Sequence, residues 1–124
     1  MRELINNVIQ WAADRDILNG SNALKQLDKT SEELNELQRA LGQWYMLDEL
    51  VACDVIAPTS AVKQTQHEVE LEVMDAYGDI LVTLIIAAKM DGIDLQDALA
   101  SAWNTIKDRK GRLVNGKFVK EESL

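Results

Sequence analysis

Residues 72–88, reading E-V-M-D-A-Y-G-D-I-L-V-T-L-I-I-A-A, restrict the possible folds more than any other stretch of the chain. At 100° per residue, Glu72, Asp75 and Asp79 share one stripe of a helix, and residues 80–88 then run apolar at every position but Thr83. A helix that is apolar all round is buried all round. Three carboxylates therefore lead directly into a segment expected inside the molecule or an interface. An ionised carboxylate beside a core shifts its pKa, pairs with a cation or holds a metal, because uncompensated burial is costly. Along the sequence, no Lys or Arg lies within a helical turn of Asp75 or Asp79. The reading turns towards a metal.

The rest of the chain supplies helices to pack around this one. Leu4, Ile5, Val8, Ile9 and Ala12 recur at helical spacing, with Trp11 on the flank and Asn19-Gly20 as the stop. Trp11 reads as a core anchor or as an aromatic that stacks on a base. Ser21 or Asn22 can cap a second helix, in which Leu27, Leu34 and Leu41 repeat every seven residues beside Leu24 and Leu37. That face is expected to pack. On the flanking face Glu32 and Glu36 stack at i and i+4, with Glu33 one step round and Lys29 one turn upstream to neutralise them in part. Taken alone, E-E-x-x-E reads as a solvated acidic face. In residues 42–66, Trp44, Tyr45, Met46, Leu47, Leu50 and Val51 can extend the second helix, while residues 57–60 read as a break.

The organising helix is expected to begin between Ala61 and Glu68 and to stop at Asp91-Gly92. Asp94 then caps a last helix with Leu95, Ala98, Leu99, Ala102, Trp103 and Ile106 on one face. It runs into Asn104, Lys107, Asp108, Arg109, Lys110 and Arg112, a basic cluster in an acidic chain. Cations at a helix C-terminus are the plain account of such a cluster. Asn115-Gly116 between two short apolar runs predicts a type I′ hairpin, and the closing E-E-S-L is expected to fray.

With 124 residues and one Pro, these elements predict a single all-α domain over residues 1–124: a four-to-five-helix bundle with a short C-terminal β-hairpin. The net charge of −8 argues against a nucleic-acid partner and suits a protein that collects divalent cations. One Cys and one His leave no Cys/His zinc cluster and no Ser-His-Asp or Cys-His nucleophile to propose. The N-terminus lacks a signal-peptide core, and the longest apolar run is about half of the roughly 20 residues that a membrane span requires. A cytoplasmic protein without a membrane partner is expected. One short domain has few surfaces with which to cover residues 80–88 and three further apolar faces, so a homo-oligomer is expected, as a dimer or a tetramer of two dimers.

Hard oxygen ligands without His or Cys select Mg²⁺ or Mn²⁺. Such a metal held by carboxylates, with cationic side chains nearby, is the equipment for handling a polyphosphate. The chain contains no P-loop and no G-x-G-x-x-G.

E-E-x-x-E at Glu32, Glu33 and Glu36, followed by the helix D-A-Y-G-D-I-L-V-T-L-I-I-A-A, resembles the all-α nucleoside triphosphate pyrophosphohydrolases of the MazG-like superfamily. The C-terminal N-T-I-K-D-R-K-G-R-L-V-N-G-K-F-V-K-E and the early W-A-A-D-R-D-I-L-N-G-S are similar to short, single-domain MazG-like proteins of phages. The likeness covers most of the chain except residues 42–66, which look like an addition. It implies an oligomeric bundle of the all-α NTP pyrophosphatase type that hydrolyses a (d)NTP to the (d)NMP and pyrophosphate with two or three Mg²⁺ or Mn²⁺ ions. By that resemblance Glu32, Glu33, Glu36 and Asp79 match metal positions, with Glu33 as the base that deprotonates the attacking water. The superfamily's second motif, E-x-x-D, has Ala76 where its glutamate belongs. Either Asp75 replaces it, or Glu72 and Asp75 themselves form the motif; Asp75 belongs to both versions. Asn104, Lys107, Arg109 and Lys110 match the phosphate-binding segment, and Trp11 is a candidate to stack on the base. The resemblance to phage members implies a purine nucleotide, dGTP or GTP, and a place in the host cytoplasm if the chain is phage-encoded.

Two other readings predict different behaviour. A dUTPase or dCTPase of the same superfamily would use the same metals with a pyrimidine pocket. An acidic helical interaction module without catalysis would show neither Mg²⁺-dependent stabilisation nor nucleotide binding.

Overall fold

A computed structural model describes residues 1–124. The fold is all-α with a short C-terminal β-hairpin: α1 (Arg2–Asp14), α2 (Ile17–Gly20), α3 (Ala23–Ala52), α4 (Ser60–Met90), α5 (Leu95–Ile106), β1 (Gly111–Val114) and β2 (Lys117–Lys120). Nothing in the sequence divided the chain, yet it falls into two compact units, Met1–Gly92 and Ile93–Leu124. Each is described by itself.

The first unit is built on the α3–α4 pair. Asn22 caps α3 by accepting from the Lys25 amide, and Thr59 caps α4 by accepting from the Val62 amide. Residues 42–66 are the far ends of both helices and the turn between them. Each helix is about 45 Å long at 1.5 Å per residue. Their pairing is antiparallel: Thr30 meets Thr83 at one end, and Gln66 reaches Asp48 at the other, 3.1 Å away. Leu37, Ala40, Val73 and Ala76 form the buried core between them, with Leu41, Trp44 and Ile80 packed against it. Tyr45 stacks on Trp44 but stays exposed.

Two expectations are corrected here. The first helix does not run to Asn19-Gly20. It ends at Asp14, and Asp16 takes a left-handed conformation (φ 59°) that aspartate tolerates better than most residues, before the single turn of α2. The leucine seam packs only in its second half: Leu37 is core and Leu41 packs against it, but Leu24, Leu27 and Leu34 are exposed, and the face turned to α4 runs through Thr30, Glu33, Leu37, Ala40 and Trp44. Residues 80–88 are covered nearly all round: Thr83, Ile85, Ile86 and Ala87 are buried, the rest are half-buried, and Leu81 alone is exposed. No helix is long and apolar enough to cross a membrane.

In the second unit Asp94 caps α5 by accepting from the Asp97 amide. The antiparallel register pairs Leu113 with Phe118 and Val114 with Lys117, and Asn115 (φ 52°) and Gly116 (φ 77°) make the expected turn between positive-φ residues. The tail is not frayed. It forms a 3₁₀ turn at Glu121–Ser123, tied back where the Glu121 amide donates to the Lys110 carbonyl at 2.9 Å.

Candidate functional site

The antiparallel register brings the glutamates of α3 beside the aspartates of α4. Glu36 and Arg39, at i and i+3, face Glu72, Asp75 and Asp79 across a recess of about 290 Å³ floored by Ala40 and Ala76. Both alanines are buried, so the two backbones approach closely and the longer acidic side chains overhang the floor. A glutamate at position 76 would point into the core. The carboxylates come instead from the neighbouring stripe at 72, 75 and 79.

A second recess of about 470 Å³ adjoins the first. Glu33 and Asp79 line it from opposite helices, together with Trp11, Lys25, Lys29 and Thr83. Asp79 thus belongs to both recesses. It also edges an apolar hollow of about 700 Å³ between α1 and α4, which Trp11 shares.

Glu33 is the electrostatically uncomfortable member. Its side chain is 12% exposed, and its Oε2 is buried with no hydrogen-bond partner. Lys29 lies 3.9 Å from the other oxygen, but hydrogen-bonds to Glu32 at 3.2 Å. Burial raises the Glu33 pKa above the ordinary glutamate value, the Glu36 and Asp79 carboxylates raise it further, and Lys29 opposes them only in part. Lys29 itself is held protonated by the Glu32 hydrogen bond and the surrounding acids.

The other candidates are placed unevenly. Glu36, Asp75 and Asp79 line one recess, and Glu33 meets Asp79 in the other. Glu32 lines neither; it is exposed and paired with Lys29. Trp11 lines the second recess with Arg15 stacked over its ring, 4.6 Å from the centroid. Asn104, Arg109 and Lys110 gather in the second unit around a polar pocket of about 410 Å³ shared with Asp108, Glu121 and Glu122. Lys107 stands beside that pocket and donates to the Asn104 amide oxygen at 3.3 Å.

Sequence reasoning did not single out Arg39 or choose Glu72. It noted correctly that no cation lies near Asp75 and Asp79 along α4, but Arg39 reaches their recess from α3. Its spacing three residues after Glu36 was the available signal.

The donor set is all oxygen, which suits Mg²⁺ or Mn²⁺. No three of these carboxylates converge to metal-ligand spacing as the chain stands. Asp75 and Asp79 are exposed and make no hydrogen bond or ion pair, so both can rotate inwards at little cost. The buried, unpartnered Glu33 oxygen is the feature a cation would satisfy.

By fold and site the molecule is an all-α protein whose acidic recesses lie along a long helical hairpin. An uncharacterised 18.2 kDa protein from the rep-hol intergenic region of Haemophilus phage HP1 (strain HP1c1) is 30% identical over 94 residues, which are 76% of this chain and 43% of that protein. The matched segment therefore spans less than half of that relative. No protein-family model matches the chain, and no solved structure does.

Proposed function

We propose that the protein is a metal-dependent nucleoside triphosphate pyrophosphohydrolase, converting a (d)NTP and water to the (d)NMP and pyrophosphate. The observation that carries this reading is the sealed, unpartnered Oε2 of Glu33 beside Asp79, with Glu36 and Asp75 in the adjoining recess. A cluster of acids with one buried and uncompensated oxygen is what a divalent cation corrects.

Glu36, Asp75 and Asp79 would hold Mg²⁺ or Mn²⁺, with Glu33 and Glu32 completing the set on the α3 side. The bound ions supply charge neutralisation for the triphosphate and polarise the attacking water. Glu33, on the α3 side of the recess it shares with Asp79, would accept the water's proton. Asn104, Lys107, Arg109 and Lys110 are assigned to phosphate binding, as the resemblance implies. Trp11 offers an aromatic surface to the base, and a guanine nucleotide is the substrate assigned here. The enzyme works in the cytoplasm, in a phage-infected or bacterial cell, as a homo-oligomer.

The deciding experiment is a panel of the common dNTPs and NTPs with Mg²⁺ or Mn²⁺ and pyrophosphate detection. Release of pyrophosphate, greatest with dGTP or GTP, is expected. Turnover confined to pyrimidines would reject the guanine assignment. No turnover of any nucleotide would reject the enzyme.

A further inference from the structure

Thr83 is the single interruption in the apolar run of residues 80–88, and it is buried. Its Oγ1 lies 2.7 Å from Thr30 Oγ1 on α3 and 2.8 Å from the Ile80 carbonyl; Thr30 Oγ1 lies 3.0 Å from the Gln26 carbonyl. Two hydroxyls carry two protons for these three contacts. The cross-helix bond therefore forms only when one threonine turns its proton away from its own backbone.

The placement of this bond matters more than its strength. Thr30 sits one turn before Glu33 on α3, and Thr83 sits one turn after Asp79 on α4. The contacts between the helices nearest the acidic recess are made by Leu37, Ala40, Val73 and Ala76, and apolar packing is non-directional. Polar bonds between α3 and α4 side chains occur at the two ends of this stretch: Thr30–Thr83 beside Glu33, and Gln66–Asp48 near the turn. The first is part-buried, the second exposed. Two long helices held only by apolar side chains can slip along their axes. A slip of one residue would carry Asp79 away from Glu33.

We infer that Thr30 and Thr83 are positioning residues: their hydroxyl–hydroxyl bond fixes the axial register in which Glu33 meets Asp79. The inference rests on the metal and triphosphate reading above. Both hydroxyls are already engaged with each other and with backbone carbonyls of their own helices.

The test compares wild type with Thr83→Val, Thr83→Ser, Thr30→Val and the double valine variant. Each is titrated with Mn²⁺ alone by calorimetry and assayed for pyrophosphate release from the best nucleotide of the panel. Thr83→Val keeps the side-chain shape and removes the bond. It is expected to weaken Mn²⁺ binding and to lower kcat by about 10- to 100-fold, the range found when groups that orient metal ligands are removed, with KM little changed. Thr83→Ser restores both values. Thr30→Val matches Thr83→Val, and the double variant is no worse than either single one, because all three lose the same bond. Wild-type Mn²⁺ affinity and kcat in Thr83→Val would overturn the inference. So would a serine variant as impaired as the valine, or a lowered unfolding temperature with Mn²⁺ affinity intact. A wild type that neither binds Mn²⁺ nor releases pyrophosphate removes the functional reading and this inference together. An active wild type with an indifferent Thr83→Val removes the inference alone.

Discussion

Glu33 and Asp79 line one recess from opposite helices, the first with a carboxylate oxygen sealed from water and the second exposed. In the metal-free protein this pair works against folding. The folded chain binds the Glu33 proton more tightly than the unfolded chain, where the pKa is near 4.5. Stability contributed by that proton is therefore full below about 4.5 and is lost as pH rises through the higher folded value. Glu33→Gln is expected to unfold at higher denaturant than wild type at neutral pH, with the advantage fading as pH falls towards 4.5. Chemical denaturation at a series of pH values checks this. A variant that tracks wild type at every pH would mean that Glu33 ionises freely.

Ligand should reverse the sign. Mn²⁺ with a non-hydrolysable triphosphate at a hundred times its Kd is expected to stabilise wild type by about 2.7 kcal/mol. Asp79→Asn and Glu36→Gln should lose that gain and all turnover, while their metal-free stability at neutral pH is little changed or improved, because each removes a charge that bears on Glu33. Thermal unfolding with and without ligand reads both effects. An interaction module with solvated acids would show no shift, and full activity in either variant would remove the metal-site assignment.

Local signals in the sequence proved sufficient for most of the elements. Asn22, Asp94 and Asn115-Gly116 act where side-chain and turn chemistry puts them, because capping and turn geometry depend on a few neighbouring residues. Which face of a helix packs was legible only in part: Ile5 and Ala12 of α1 and Leu37 of α3 are buried on the faces expected, but the first half of the α3 seam is not. Leu24, Leu27 and Leu34 repeat like a core seam, yet the inter-helix seam contains Thr30 and Glu33, both of which read as surface residues. Register between α3 and α4 depends on both helices at once, and no periodicity in either one reports it. For the same reason Arg39 stayed hidden: it is remote from Asp75 in sequence and shares a recess with it only once the helices pair.

The hairpin gives a test of backbone fit. A methyl group at Gly111 would meet the Phe118 ring and collide with the Val119 carbonyl, which cannot withdraw without disturbing the strand register. Gly111→Ala is expected to abolish amide-exchange protection across residues 111–120 and to leave that of α3 and α4 unchanged. If the Asn104, Arg109 and Lys110 pocket serves phosphate, the same variant should raise KM for the triphosphate. Retained hairpin protection would show that the strands can separate enough to admit the methyl.

The uncovered apolar surface bears on assembly. Leu27 and Leu34 on α3 and Met74, Tyr77 and Leu81 on α4 are all large and exposed, and no large side chain anywhere in the chain is fully buried. Large exposed apolar side chains, where they gather into a patch, mark contact surfaces. A second copy is the partner proposed here, because two chains that cover each other's leucines would finish a core that one chain leaves open. Wild type is expected to sediment as a dimer or tetramer and to unfold at a temperature that rises with protein concentration. Leu34→Lys and Leu81→Lys place a charge in that surface and should shift the protein towards monomer. Because Asp79 lies two residues from Leu81, dissociation by Leu81→Lys should lower turnover more than dissociation by Leu34→Lys. A wild type that sediments as a monomer at high concentration would leave these side chains without a partner of their own kind.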